Sequence, residues 1–351
     1  MGAASSSEGF GWGTNAIQVV DHFSKQYEDA KFLKGKVAVV TGGNKGLGLE
    51  VVKAFASAGC TVYLCSRSVS AGEQAVQEEV CSMGAGGYVV DKQEAAKLIK
   101  VKELDLSSLA SVRAFAKDLF SAEKVTGIDY LFLNAGLMTI PTCERTVEGF
   151  EMQIGVNHYG HVYLTNLLME RLGAKTLKKR ALRVVIVSSI AWVMLGNMSK
   201  ANIHYDEAIN DRKYTGWGAY GQSKLANAMY QVALDKRLRE ANTASAAVTV
   251  LPGIVKTDLW KNTQLKGGTW GEWLSELVYK KKTVTQGASS LIYAALEPSF
   301  SAAETTTLER HVNDCARYDA GAAKNAKFLT EESTESFYEL TQEQLKAATS
   351  K

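Results

Sequence analysis

Several features are scarce in this sequence, and each scarcity excludes a class of protein. Three prolines occur in 351 residues, at 141, 252 and 298, and each lies at an expected element boundary, where proline is tolerated. The five cysteines form no C-x-x-C pair, which argues against a disulfide framework and favours a reduced, intracellular protein. A net charge of +3 is too small to indicate a nucleic-acid partner.

Long apolar runs are also missing. The longest candidate, 184–195, is interrupted by Ser188 and Ser189 and is too short for a membrane-spanning helix, and no secretory signal is visible. The N-terminus does fit the M-G-x-x-x-[ST] myristoylation pattern through Gly2 and Ser6, although a flexible, serine-rich leader explains it equally simply. One acyl chain binds membranes only marginally, so we expect a cytoplasmic location or a weak peripheral membrane contact.

Apolar strand-like runs alternate with helical patterns along most of the chain. The expected strands are Val37–Val40, Thr61–Cys65, Val101–Leu104, Tyr130–Leu133, Val184–Val187 and Ala247–Val250, with an edge strand near Arg310–Asn313. The expected helices include 15–31, Leu109–Phe120, Phe150–Leu172 and Tyr220–Arg239. This alternation predicts an α/β fold, a single-domain, Rossmann-type, doubly wound parallel sheet flanked by helices.

Three regions are expected along the chain. Residues 1–34 form an N-terminal extension, a disordered leader followed by a short helix. Residues 35–315 form the main α/β domain, and residues 316–351 form a helical tail. Within the domain, Ser82–Lys100 is long and charged, and is interpreted as a surface excursion.

The segment Thr41–Gly48 is the most informative motif. It follows the run Val37–Val40 and opens a helix-like stretch, and its glycines stand as Gly42-x3-Gly46-x-Gly48. Glycines there let the backbone approach a pyrophosphate, which then accepts hydrogen bonds at the helix N-terminus. The segment therefore predicts a dinucleotide site.

The end of the second strand indicates which dinucleotide is bound. The run Thr61–Cys65 is followed by Ser66 and Arg67, with no acid to bind the ribose 2′-hydroxyl of NAD. Arg67, together with Lys45 in the glycine turn, instead suits a 2′-phosphate. NADP is therefore the expected cofactor, and Asp105 is expected to accept a hydrogen bond from the adenine.

Tyr220 and Lys224 stand at i and i+4, hence on one face of a helix. A nearby ammonium lowers the pKa of a phenol, so that the tyrosine can transfer a proton near neutral pH. The same Y-x-x-x-K spacing occurs at Tyr27 and at Tyr88. Only Tyr220 follows a strand that ends in serines and opens a helix with an apolar stripe.

Taken together, these motifs resemble the short-chain dehydrogenase/reductase family over roughly residues 35–300, and six ordered motifs are hard to obtain by chance. The matching pieces are Thr41–Gly48, Asn134–Gly136, Asn157, Ser188-Ser189, Tyr220 with Lys224, and Pro252–Thr257. The amino-acid sequences of Val156–His161 and Tyr220–Asn227 are similar to those of the retinol dehydrogenase-like branch of this family. WW-domain oxidoreductases and protochlorophyllide reductases are neighbouring branches.

The resemblance implies a role for each residue. Tyr220 would be the general acid or base, Lys224 would lower its pKa and hold the nicotinamide ribose, Ser189 would bond the substrate oxygen, and Asn157 would hold a water that links Lys224 to solvent. The remaining cofactor contacts implied are Gly42, Asn44, Lys45, Gly46, Leu47, Gly48, Ser66, Arg67, Asp105, Leu106, Asn134, Ala135, Gly136, Pro252, Gly253, Ile254 and Thr257. Of these, Ile254 and Thr257 would hold the nicotinamide carboxamide.

Some residues depart from the family pattern or allow another interpretation. Leu133 and Tyr159 replace residues that are more common in the family. His158 and His161 form H-x-x-H without an evident third ligand, so core histidines are expected rather than a metal site. No G-x-S-x-G elbow surrounds Ser189, which argues against a hydrolase. The lysines at 280–282 are expected to be a solvated helix end or an interfacial patch.

Tryptophans concentrate around the expected substrate region. Trp192 and Trp217 flank the serine and the tyrosine, and Trp260, Trp270 and Trp273 follow the Pro252 turn. They favour a bulky, hydrophobic carbonyl or alcohol that is retinal-, steroid- or lipid-like, although they could simply pack a lid against the body. Two alternatives remain open: a non-catalytic NADP-binding scaffold or sensor, and a pigment reductase.

Overall fold

A computed structural model describes residues 9–80, 92–209, 213–241, 243–257, 259, 281–302 and 304–350. Within these residues one sheet contains β1 (Val37–Thr41), β2 (Thr61–Ser66), β3 (Ile99–Glu103), β4 (Tyr130–Leu133), β5 (Arg183–Val187), β6 (Ala246–Leu251), β7 (His311–Asn313) and β8 (Ala316–Arg317). The strand order is β3-β2-β1-β4-β5-β6-β7-β8; every neighbouring pair is parallel except β7 and β8.

The sheet is covered by helices on both faces. The described α-helices are α1 (Ala16–Tyr27), α2 (Gly46–Ser57), α3 (Val69–Ala75), α4 (Lys92–Leu98), α5 (Leu109–Ser121), α6 (Met152–Ile154), α7 (Gly160–Lys179), α8 (Ala191–Leu195), α9 (Gly216–Glu240), α10 (Val284–Leu296) and α11 (Glu331–Thr349). One apolar core lies between the sheet and α5, α7 and α9, and a second lies between the sheet and α1, α2 and α10. The predicted α/β doubly wound class is confirmed.

The strand predictions hold to within about two residues. Tyr130–Leu133 matches β4, while β3 begins at Ile99, two residues before the predicted start, within the expected excursion. Most of that excursion, residues 81–91, lies outside the described residues, as does Tyr88. The expected edge strand is β7, and its hairpin partner β8 was not predicted.

The predicted continuous helix Phe150–Leu172 is wrong. The chain there forms α6, then a π-helix at Gly155–Tyr159, and then α7. Gly160 permits this path, because a Cβ on it would lie 2.5 Å from the carbonyl oxygen of Leu106. π-Turns inside helices are frequent at functional sites, and Asn157 lies inside this one.

The first and the last described helices pack against the body. The expected first helix is shorter than predicted: Asn15 caps α1 through a capping box with Gln18, and Glu28 ends it in a left-handed conformation. Phe23 buries this helix against α2 and α10. At the other end, α11 packs on α9, where Arg237 pairs with Glu335. The domain limits at 34 and 315 stay a prediction.

Candidate active site

The glycine turn after β1 is shaped by close backbone approach. Gly42 and Gly46 have left-handed backbones, with φ of 64° and 57°. A Cβ on Gly48 would collide with the carbonyl of Gly42 and would lie 2.6 Å from Asn134 Nδ2. Lys45 is the N-cap of α2 and makes no side-chain capping bond, so the first amide groups of this helix keep their donor capacity. The turn therefore offers an anion site.

Thr41, at the end of β1, connects this turn to the neighbouring elements. Its Oγ1 accepts hydrogen bonds from the amides of Asn134 and Ala135, at 2.9 and 3.0 Å. It also lies 2.8 Å from Nε2 of His161. Nδ1 of the same histidine lies 3.0 Å from the carbonyl oxygen of Asn157, so Nδ1 carries the proton and the Thr41 hydroxyl can donate to Nε2. One buried histidine thus joins the glycine turn to the π-helix.

The opposite end of the turn faces the end of β2. Ser66 is buried and Arg67 is exposed, and both line the same cavity as Lys45. Oδ1 of Asp105 accepts hydrogen bonds from the amide and the hydroxyl of Ser107, at 2.9 and 2.7 Å. Asp105 is therefore held in place at the cavity wall.

Tyr220 and Lys224 lie on α9, which begins at the N-cap Thr215. Gly221 lets this helix approach α8, because a Cβ there would lie 2.9 Å from Cβ of Leu195. The Nζ of Lys224 donates to the carbonyl of Val187 at 3.0 Å and lies 5.7 Å from the centre of the Tyr220 ring. Both side chains are buried at the cavity wall.

Burial dominates the proton affinities of this pair. It raises the pKa of the Tyr220 phenol, while a hydrogen bond with Ser189 lowers it. Burial also lowers the pKa of Lys224 to about 8. The pKa of Tyr220 is therefore raised overall, whereas the sequence predicted that Lys224 would lower it. The reason is that loss of solvation of the phenolate is the largest effect. In this structure Tyr220 is therefore a protonated donor at neutral pH.

The two serines after β5 have different partners. The hydroxyl of Ser188 donates to the carbonyl of Lys224 at 2.7 Å, deep in the protein. The hydroxyl of Ser189 accepts from the amide of Ala191 at 3.2 Å, and its interaction with Tyr220 lowers the pKa of the phenol. Ser189 is thus the serine placed beside the reactive phenol.

Asn157 is fully engaged by protein groups. Its Oδ1 accepts from the amide of Leu137 at 2.7 Å, and its Nδ2 donates to the carbonyl of Leu137 and to Ser223 Oγ, at 3.0 and 2.9 Å. A Cβ on Gly136 would lie 3.1 Å from this Oδ1 and 3.5 Å from Nζ of Lys224. Asn157 therefore fixes the loop after β4 next to Lys224. Its expected role in holding a water stays a prediction.

A second turn, Pro252–Thr257, follows β6 and faces the first. Gly253 has a left-handed backbone with φ of 81°, and Cγ2 of Thr257 lies 3.7 Å from the position of a Cβ on Gly46. Lys282 lies against this turn with a relative exposure of 1%, so the expectation of a solvated or interfacial lysine is wrong for Lys282, whose ammonium is paired with Asp314. Lys280 lies outside the described residues.

One continuous cavity of about 2380 Å³ joins both turns to Tyr220. Of the predicted site residues, the following line it: Gly42, Asn44, Lys45, Gly46, Leu47, Ser66, Arg67, Asp105, Leu106, Asn134, Ala135, Gly136, Ser189, Tyr220, Lys224, Pro252, Gly253, Ile254 and Thr257. Gly48 and Asn157 lie one layer behind, against Asn134 and Leu137. Beyond Tyr220 the wall is apolar, with Met138, Ile140, Met194, Leu195 and Trp217.

Sequence reasoning missed several residues that shape this site. Thr41 and Ser223 stood inside quoted motifs but were given no role, while His158 and His161 are buried in the core as expected, His158 with Nε2 3.2 Å from Thr341 Oγ1. Nothing in the sequence singled out Asp314. The predicted tryptophans at 260, 270 and 273, and Gly2, lie outside the described residues. Trp192 is fully buried rather than exposed to substrate.

The chain is similar to proteins of known family. Residues 36–201 match the family model described as short chain dehydrogenase. Human retinol dehydrogenase 12 is 37% identical over 264 residues, covering 75% of this chain and 74% of that protein, and mouse retinol dehydrogenase 11 is 34% identical over 284 residues, covering 81% and 79%. Mouse polyprenol dehydrogenase is 34% identical over 264 residues, covering 75% and 72%.

Solved structures agree with the fold. An uncharacterized protein from Mycobacterium paratuberculosis superposes with a TM-score of 0.64 at 29% identity, covering 90% of this chain and 94% of that one. Pseudomonas aeruginosa RhlG, solved as an NADP active-site complex, has a TM-score of 0.55 at 19% identity, covering 79% and 94%, and so supports the fold alone.

The residues present fit the nicotinamide cofactor that this family binds. Gly46 carries no side chain where the two turns face each other, and Thr257 Cγ2 is the atom nearest to the space that a Cβ would fill. The uncapped start of α2 supplies amide donors for a pyrophosphate. With its fold, its site geometry and these relatives in agreement, the chain belongs to the short-chain dehydrogenase/reductase family as a retinol dehydrogenase-like oxidoreductase.

Proposed function

We propose that the protein is an NADP(H)-dependent oxidoreductase that transfers a hydride between the nicotinamide and a hydrophobic carbonyl or alcohol. The observation that carries this proposal is that Ser189 and the buried Tyr220, with Lys224 beside its ring, line the same cavity as the glycine turn. A carbonyl oxygen that meets both hydroxyls would be held at the point where a proton is available.

Each side chain has a distinct role in this proposal. A nicotinamide cofactor held by the two turns would supply the hydride for the carbonyl carbon. Tyr220 donates its phenolic proton to the carbonyl oxygen, Ser189 donates a hydrogen bond to the same oxygen, and the Lys224 ammonium stabilises the phenolate that forms. Asn157 holds the loop after β4 so that Lys224 stays in place. In the oxidation direction, Tyr220 would accept the proton of the alcohol.

The preference for NADP is proposed from charge. Lys45 and Arg67 both line the cavity at the end where the adenosine ribose would lie, and Ser66 rather than an acid ends β2. A 2′-phosphate carries negative charge that an Arg fork binds well, whereas a neutral hydroxyl gains little from two cations.

The substrate class is proposed from the apolar side of the cavity. Met138, Ala191 and Tyr220 form a small apolar cluster, and Met194, Leu195 and Trp217 are partly exposed around it. The relatives named for retinol and polyprenol suggest an extended apolar alcohol or its carbonyl. The described residues contain no helix that is long and apolar enough to cross a membrane.

The experiment compares wild type with Tyr220→Phe in purified full-length protein, using NADPH and a panel of retinal-like and steroid-like carbonyls. We expect kcat/KM to fall by about 10²–10⁴, the usual contribution of a positioned general acid. Tyr230→Phe is the matched control, because it removes a buried hydroxyl from the same helix. Unchanged turnover in Tyr220→Phe would overturn the proposal. Tight NADPH binding without turnover on the whole panel would instead indicate a scaffold or sensor.

A further inference from the structure

The second turn is held from behind by a residue that is distant in sequence. The amide of Lys282 donates to the carbonyl of Ile254 at 2.8 Å, and its own carbonyl accepts from the amide of Lys256 at 3.1 Å. These two bonds form a parallel bridge opposite Val255. The middle of the turn is thereby fixed to the segment that leads into α10.

The side chain of Lys282 continues under the same turn. A Cβ on Gly253 would lie 3.3 Å from Cε of Lys282, so the lysine stem packs against the left-handed glycine. Its ammonium pairs with the carboxylate of Asp314, and the two side chains have relative exposures of only 2% and 13%. An ion pair this buried is costly to form and more costly to break on one side.

Asp314 is itself placed by a tight hairpin. It lies in the turn between β7 and β8, where Asp314 and Cys315 both have left-handed backbones, with φ of 55° and 56°. The amide of Cys315 donates to Ser290 Oγ at 3.2 Å, which fixes the hairpin to α10. The carboxylate therefore stands on a rigid element that ends beside the carboxyl end of β6.

We propose that Lys282 and Asp314 are positioning residues that hold the Pro252–Thr257 turn against the nicotinamide half of the cofactor. Both line the cavity, and the turn that they support carries Ile254 and Thr257, the residues expected to bond the carboxamide. This inference rests on the proposed function. It assigns the pair to one half of the cofactor, because the adenosine half is held by the glycine turn and the end of β2.

The test separates the two halves of the cofactor. Asp314→Asn, Lys282→Met and the double variant are prepared in the full chain; asparagine tolerates the left-handed backbone at 314. Dissociation constants are measured for NADPH and for 2′,5′-ADP, which contains the adenosine end without nicotinamide. Glu335→Gln is the matched control, since it breaks the Arg237 ion pair between α9 and α11, on helices that do not form the second turn.

For Asp314→Asn we expect the Kd of NADPH to rise about tenfold, one decade in the binding constant, while the Kd of 2′,5′-ADP stays within about twofold. The double variant should bind NADPH better than Asp314→Asn, because it no longer buries an unpaired ammonium. Glu335→Gln should leave both constants unchanged. Thermal unfolding of each variant checks that it is folded at the temperature of the binding measurement.

Two results would overturn the inference: parallel weakening of NADPH and 2′,5′-ADP, which would indicate a general structural role, or no weakening of either in a folded Asp314→Asn variant. These outcomes differ from failure of the proposed function. If wild type binds NADPH no more tightly than 2′,5′-ADP, or shows no turnover, the proposed function fails before the variants are compared. If wild type prefers NADH, the same comparison is run with NADH and ADP.

Discussion

The two turns that face each other across the cavity are built in different ways. The shape of the Thr41–Gly48 turn is set by its own glycines, since Gly48 packs on the Gly42 carbonyl, and Thr41 joins the finished turn to Asn134 and His161. The Pro252–Thr257 turn depends on Lys282 and Asp314, which come from two later segments of the chain. A turn of the first kind can be recognised from a short motif, and a turn of the second kind cannot.

The largest expected effect comes from breaking the first turn through its backbone. Gly48→Ala would place a methyl group against the Gly42 carbonyl and 2.6 Å from Asn134 Nδ2, and backbone cannot yield as a flexible side chain does. We expect a loss of about 3 kcal/mol in the free energy of unfolding, as for overpacking in a tight core. Chemical denaturation measures it. A variant as stable as wild type would show that the turn can relax.

Gly253→Ala is the matched change in the second turn and should cost less. Its Cβ would meet Cε of Lys282, which is part of a flexible stem, so the main penalty is the left-handed backbone, about 1–2 kcal/mol. Denaturation measures this as well, alongside Gly48→Ala. A larger loss in Gly253→Ala than in Gly48→Ala would reverse the comparison.

The site residues that lie in short contiguous motifs could be predicted from the sequence, and those brought together from distant segments could not. The glycine turn, Tyr220 and Lys224 lie in short contiguous motifs, so residue spacing alone indicates their chemistry. The π-turn around Asn157 could not be predicted, because residues 153–165 are all buried, so no amphipathic face exists whose phase an extra residue would visibly shift. Lys282 looked like a surface lysine, since its burial depends on Asp314, which is 32 residues later.

The fold shows the same contrast. β4 was predicted with its correct ends, because a continuous apolar run bounded by polar residues marks a buried parallel strand. The start of β3 was misplaced, because Ile99 and Lys100 pair with Val62 and Tyr63 at an exposed sheet edge, where charged residues are tolerated. The two-residue strand β8 is too short to produce a pattern.

The first turn should also respond to pH, because its Thr41 contacts the buried His161. Burial lowers the pKa of His161 to about 4, below its ordinary value of 6.5. Between these values the unfolded chain binds a proton that the folded chain excludes. The free energy of unfolding therefore falls as pH falls through this window, by at most about 1.4 kcal/mol per pH unit from this residue.

Comparison of wild type with His161→Leu isolates that contribution. The variant should be less stable at pH 7, because Thr41 and the Asn157 carbonyl lose a partner, but its stability should decline less steeply between pH 6.5 and 5. Chemical denaturation at several pH values gives both slopes. Parallel slopes would contradict a neutral, buried His161.

The smallest expected effect comes from Arg67, the exposed residue directly after β2. Arg67→Ala should raise the Kd of NADPH by about five- to tenfold, the order of one exposed charge-assisted contact, and leave the Kd of NADH unchanged. Arg113→Ala serves as a control, since it removes an exposed arginine that bonds Tyr163 instead of lining the cavity. An equal loss for both cofactors would contradict a 2′-phosphate contact at Arg67.

The most direct test of the proposed hydride transfer is a single-turnover reaction of the full chain with a retinal-like aldehyde. The NADPH is deuterated at the nicotinamide position from which the hydride is transferred. If hydride transfer occurs as proposed, wild type should form an alcohol that carries one deuterium on the former carbonyl carbon, and Tyr220→Phe should not form it. NADPH bound in the cavity with no labelled alcohol from any carbonyl on the panel, or labelled alcohol at an undiminished rate in Tyr220→Phe, would contradict it.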